Sequence, residues 1–182
     1  MDDSSLAELG RQMASVGGVV AVVLGGSRAR GTHRPDSDGE VALCRILADP
    51  TGELVALQAQ TRRYPAALGD ALVRGLWEAD FLLAHGARYG AAGADPTFAA
   101  GCLFRVIGIA CHTLHGYGRQ WLTHEKGMVA SAARLPQAPP RFAERAQSIL
   151  AAVGASPPEI EDTVTRAAAL IGEVRAATEP PA

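Results

Sequence analysis

Aromatic side chains are scarce. They make up 5% of the 182 residues, while hydrophobic residues make up 48%, much of that alanine. A core of that make-up is expected to come from helices packed closely through small residues. Cysteine is rare: Cys44, Cys102 and Cys111 are an odd number at wide, unpatterned spacing. That excludes a disulfide framework and a zinc knuckle, and favours reduced thiols in a cytoplasm. Excess charge is missing as well. The net charge is −2 and the pI about 6.2, so the chain carries no general affinity for nucleic acid, and a specific RNA contact would need a local basic patch. Long unbroken hydrophobic runs are lacking; residues 19–24 form the longest, too short to span a bilayer. The start, MDDSSLAEL, is acidic and lacks the basic opening of a signal peptide. A soluble cytoplasmic protein is the expectation, with one domain or two small ones.

Along the chain, residues 4–16 place Leu6, Leu9, Met13 and Val16 on one face and predict a helix ended by Gly17-Gly18. Residues 19–24, VVAVVL, are short, β-branched and apolar, which predicts a strand buried on both faces. A polar, turn-forming stretch comes next, and residues 40–47 read as a second strand. From Leu54 onward almost everything reads as helix. Expected helices cover residues 54–61, 66–90, 96–122, 126–134, 140–153 and 157–177. The second carries Leu68, Leu72, Leu76, Ala79 and Leu83 in a stripe. The third opens on the cap pair Asp95-Pro96 and turns Phe98, Cys102, Val106, Ile109, Thr113, Tyr117 and Trp121 to a core. Its Gly101 and Gly108 can admit a close helix, at an intrinsic cost of roughly 1 kcal/mol each. The fold class is α+β, predominantly α: a sheet of two to three strands and then a helical bundle, divided as 1–50 and 51–182.

The chemistry concentrates in LGGSRARGTHRPDSDGEVALC, residues 24–44. After a buried strand, Gly25 and Gly26 let the backbone approach a phosphate, and the Ser27 hydroxyl can donate to its oxygens. Arg28, Arg30 and Arg34 add positive charge. The Gly-Lys-Ser/Thr phosphate loop is absent, which disfavours a kinase or ATPase of that type. Asp36 and Asp38 stand across a loop that can fold back beside Ser27, the usual place for carboxylates that hold Mg²⁺ against phosphate oxygens. With strand geometry from Asp38 onward, Asp38 and Glu40 point the same way. The bland alternatives are a strand-ending turn, a solvated Asx turn around Pro35 and an exposed strand glutamate. On the third helix, Arg105, His112 and Arg119 recur every seven residues with His115 beside them. They read either as a solvated face or as the lining of an acceptor pocket.

GGSRARGTHRPDSD resembles the opening of the DNA polymerase beta-like nucleotidyltransferase superfamily, and most of all its small bacterial and antibiotic-modifying branches. The segments GEVALCRILADPTGELVALQAQTRRYPAALGDALV and AAGCLFRVIGIACHTLHGYGRQWLTHEKGMVASAARLP resemble the region C-terminal to the catalytic domain there. The resemblance implies a small mixed sheet followed by a helical domain. It also implies transfer of a nucleoside monophosphate from an NTP to an acceptor, using two Mg²⁺ ions. Gly25, Gly26, Ser27, Arg28 and Arg30 would bind the nucleotide. Asp38 and Glu40 would be catalytic, and with Asp36 would be the metal ligands.

The chain departs from that pattern after Asp38. Gly39 and Glu40 stand where a hydrophobic residue and an aspartate are expected, and no third carboxylate follows on a later strand. Asp38 reads as joined to Gly39 across a missing block. The extra methylene of Glu40 displaces its oxygens by roughly 1 Å, which can cost about 100-fold in positioning-dominated phosphoryl transfer. Loss of an acceptor-activating base costs roughly 100- to 10,000-fold more. Impaired or lost transfer is therefore expected. The alternative is a non-catalytic nucleotide-binding or helical interaction module, with pairing to a second copy through an exposed sheet edge.

Overall fold

The computed structural model describes residues 3–25 and 44–179. The chain divides into two compact units, Met1–Arg63 and Tyr64–Ala182. Among the described residues it is predominantly helical with one two-stranded sheet, the α+β class expected.

The first unit holds helix α1 (Asp3–Ala14), strands β1 (Val22–Leu24) and β2 (Arg45–Ala48), and helix α2 (Glu53–Thr61). The strands pair antiparallel, with Leu24 opposite Arg45. Helix α1 packs on the sheet so closely that a Cβ on Gly10 would lie 2.8 Å from Leu47 Cβ. The strand expected to be buried on both faces is not. Val22 is buried, but Val23 is 43% exposed, because two strands with a helix on one side leave alternate side chains outward. The α1 contact likewise centres on Leu6 and Gly10, and Leu9, Met13 and Val16 are exposed. Helix α2 belongs to this unit, beyond the boundary drawn at 50: the Gln58 side-chain amide donates to the Cys44 carbonyl at 2.7 Å, and Asp49 accepts from the Val55 N–H at 2.8 Å.

The second unit is a bundle around one long helix. The stretch expected as a single helix over 66–90 breaks after α3 (Ala66–Arg74), at Gly75. It resumes as α4 (Trp77–Phe81), passes through a π-helical turn over Leu82–Ala87, and ends as α5 (Arg88–Ala92). The central helix α6 (Pro96–Tyr117) starts as its sequence dictates: the Asp95 carboxylate accepts from the Phe98 N–H at 3.0 Å and Pro96 takes the first turn. Helices α7 (Met128–Ala132), α8 (Phe142–Ala151) and α9 (Pro157–Thr178) complete the bundle. In α9, Glu159 reaches back to the Ser156 N–H at 2.9 Å, closing the N-terminus.

Leu103, Val106, Ile107, Ala110, Cys111 and Leu114 of α6 are fully enclosed. By length and composition alone α6 is apolar enough to cross a bilayer, with mean hydropathy 1.5 and half of that window buried inside the unit; a central core helix needs the same apolarity. The face predicted for it is correct only in the middle. Phe98 and Tyr117, at the two ends of the helix, are 47% and 39% exposed. Trp121 lies beyond the helix and rests against Tyr64, ring centroids 4.7 Å apart. Gly101 and Gly108 are not the close crossing: a Cβ on Gly101 would meet nothing within 4 Å, and one on Gly108 only Met128 at 3.9 Å. The close crossing is at Gly69 and Gly116, where α3 meets the last turn of α6.

Candidate functional site

Of the residues assigned to nucleotide and metal, Gly25 is described, half-buried at the end of β1. Gly26, Ser27, Arg28, Arg30, Asp36, Asp38 and Glu40 lie outside the described residues. The pairing of Leu24 with Arg45 sets the described residues on either side of that segment at adjacent positions in the sheet. Asp49, the first acid after β2 in the described chain, binds the Val55 N–H at the start of α2. Among the described residues no group of three His, Cys, Asp or Glu side chains is placed to hold a metal ion.

The helical unit has a cleft of its own, about 300 Å³, between the end of α3, the start of α4 and the middle of α6. That is the lower end of the range for small-molecule sites. Leu72, Phe104 and Ile109 give it an apolar wall. Glu78, Arg105, His112 and Glu125 give it four titratable groups. The Arg105 guanidinium donates through Nε and Nη2 to one Glu78 oxygen at 3.2 and 3.0 Å. Burial pushes His112 below its ordinary value, opposed by the Glu125 charge and assisted by that of Arg105. At neutral pH His112 is an uncharged imidazole beside a fixed ion pair, able to accept or donate a proton to a bound polar group.

The polar stripe read on α6 divides. Arg105 and His112 line this cleft, whereas Arg119 binds the Ala66 carbonyl at 2.7 Å and Asp70 at 2.5 Å, fastening α3. His115 is no neighbour of theirs on the surface. It is 1% exposed, with Nδ1 2.8 Å from the Cys111 carbonyl and Nε2 3.0 Å from Ser131 Oγ. The carbonyl accepts only, so Nδ1 carries the proton and Nε2 accepts from the serine. Burial holds His115 below its ordinary value, so this neutral form persists. Burial also pushes the Cys111 thiol up to about 12, leaving it without nucleophilic character. Glu78 carries no local signal in the sequence, because its partner Arg105 is 27 positions away.

No family model, curated protein or solved structure matches this chain.

Proposed function

We propose that the chain is a nucleotidyltransferase-family protein that binds an NTP through the segment after β1, with nucleotidyl transfer impaired by an incomplete carboxylate set. The observation supporting this reading is the antiparallel pairing of β1 with β2 directly on either side of residues 26–43. It returns the chain to within one hydrogen-bonded register of where it left. The described residues that flank the glycine-serine and acidic stretch, Gly25 and Cys44, thus stand next to paired strand residues. Backbone N–H groups and the Ser27 hydroxyl would hold phosphate oxygens, with Arg28 and Arg30 adding charge. Asp36, Asp38 and Glu40 would hold Mg²⁺, whose preference for carboxylate oxygen they satisfy. Bound there, the ion supplies neutralisation of triphosphate charge. The acceptor would be a small hydroxylated molecule or a macromolecule.

Shortening Glu40 by one methylene would set its oxygens where the resemblance expects an aspartate's. Glu40→Asp is therefore expected to raise label transfer from an α-labelled nucleotide by up to about 100-fold, and Asp38→Ala to abolish it. Equal transfer by wild type, Glu40→Asp and Asp38→Ala would remove these carboxylates from the chemistry. A second reading, an interaction module, is favoured by the aromatic rings exposed on the helical unit.

A further inference from the structure

The aromatic residues of this chain are mostly on the outside. Trp77, Phe81 and Tyr89 are 63%, 53% and 75% exposed, and Phe98 is 47% exposed. They form one row. Trp77 and Phe81 have ring centroids 6.4 Å apart, Phe81 and His85 4.9 Å, and Tyr89 and Phe98 6.2 Å. Residues 77, 81, 85 and 89 are spaced by four-residue steps, which drift by about 40° per step around a regular α-helix. The π-helical turn over Leu82–Ala87 widens the winding between Phe81 and Tyr89 and counters that drift. The row runs about 18 Å along the helix axis, and Phe98 of α6 extends it.

We propose that this row is the interface through which two copies of the chain pair about a twofold axis. Two observations select a second copy over other partners. The first is charge. Three carboxylates near these rings are matched within their own chain, Glu78 to Arg105 at 3.0 Å, Glu161 to Arg88 at 3.5 Å, and Asp80 to Arg175, while Asp95 beside Phe98 caps α6. A twofold interface sets a patch against itself, so a patch whose charges are mostly paired within the chain repels its copy least. The same pairing argues against nucleic acid, whose aromatic platforms are interleaved with cations available to phosphate; here Arg88, Arg105 and Arg175 are already engaged. The second observation is area. The four exposed rings present on the order of 500 Å² per copy. Two such patches bury on the order of 1,000 Å², about the minimum that a specific interface must clear and the size of a weak, reversible one. Aromatic enrichment is also the compositional mark of interface cores.

The test is sedimentation equilibrium of the full chain over a range of concentrations. The wild type is expected at twice the chain mass of 18.9 kDa, dissociating on dilution. Trp77→Glu with Tyr89→Glu is expected to raise the dissociation constant by at least about 30-fold, with far-UV circular dichroism unchanged, and melting unchanged at concentrations where both proteins are monomers, because both side chains are exposed. If the double variant loses helicity, Trp77→Ser alone keeps the test decisive, with an expected rise of about 10-fold. A wild type that stays at 18.9 kDa at the highest concentration overturns the proposal. A folded variant with wild-type affinity also overturns it. So does a dimer lost instead on Val23→Lys, which would place the interface at the sheet edge.

Discussion

Phe142→Ala is expected to lower the stability of the helical unit by about 3–5 kcal/mol, and Trp77→Ala by less than about 0.5 kcal/mol in the monomer. Both changes delete an aromatic ring; their surroundings decide the outcome. Phe142 is the one aromatic residue enclosed among the described residues, at 1% exposure, while Trp77 is 63% exposed. Phe142 opens α8 immediately after Arg141, whose φ of 56° lets the chain turn sharply out of the Pro139-Pro140 break. The Phe142 N–H closes that turn on the Pro139 carbonyl at 3.1 Å, and its ring is enclosed in the core of the helical unit. Removing it leaves a cavity in that core. The measurement is denaturant unfolding followed by circular dichroism. A shifted midpoint at constant slope is expected for Phe142→Ala and an unshifted one for Trp77→Ala at low protein concentration. Similar shifts for the two would contradict this assignment of inside and outside.

Gly69→Val is expected to cost about 1–3 kcal/mol or more, a fall in melting temperature of roughly 10 °C. A Cβ at position 69 would lie 2.5 Å from the Gly116 carbonyl oxygen and 1.8 Å from Arg119 Nη1. The guanidinium could swing away, but only by abandoning the Ala66 carbonyl at 2.7 Å and Asp70 at 2.5 Å. The carbonyl belongs to the last turn of α6 and cannot move without α6. From the other side, a Cβ on Gly116 would meet Leu72 Cβ at 2.8 Å, so both helices depend on glycine at the same crossing. Gly101→Ala is the control. Its added methyl would have no neighbour within 4 Å, and alanine is favoured over glycine in a helix by roughly 1 kcal/mol, so this variant is expected to melt higher. Calorimetry of both variants separates the two positions. A neutral Gly69→Val would mean that α3 does not approach α6 as closely as described.

Legibility in the sequence tracks how local each cause is. The start of α6 is readable because Asp95 and Pro96 cap it within one turn. The start of α9 is readable because Ser156 and Glu159 are three residues apart. The break inside residues 66–90 is not, since the π-helical turn there answers to packing: a Cβ on Gly86 would fall 2.6 Å from the Cys102 sulfur of α6. The crossing glycines are misplaced by the sequence for the same reason. Spacing along one helix singles out Gly101 and Gly108, but the partner that decides the matter is Gly69, on another helix. Burial of residues 19–24 on both faces fails because it depends on how many layers cover the sheet. In the helical cleft, half of the titratable set is visible as the seven-residue recurrence of Arg105 and His112 on α6. Glu78 and Glu125 reach the same cleft from other segments, and no periodicity connects them.

Binding of a triphosphate by the segment between β1 and β2 is the point on which the proposed function stands. It is tested most directly by isothermal titration of the folded chain with ATP, CTP, GTP and UTP in Mg²⁺. Saturable heat is predicted with at least one of them, dependent on the metal and lost in Asp38→Ala. Absence of heat with all four, from protein whose helicity and melting show it to be folded, would contradict it.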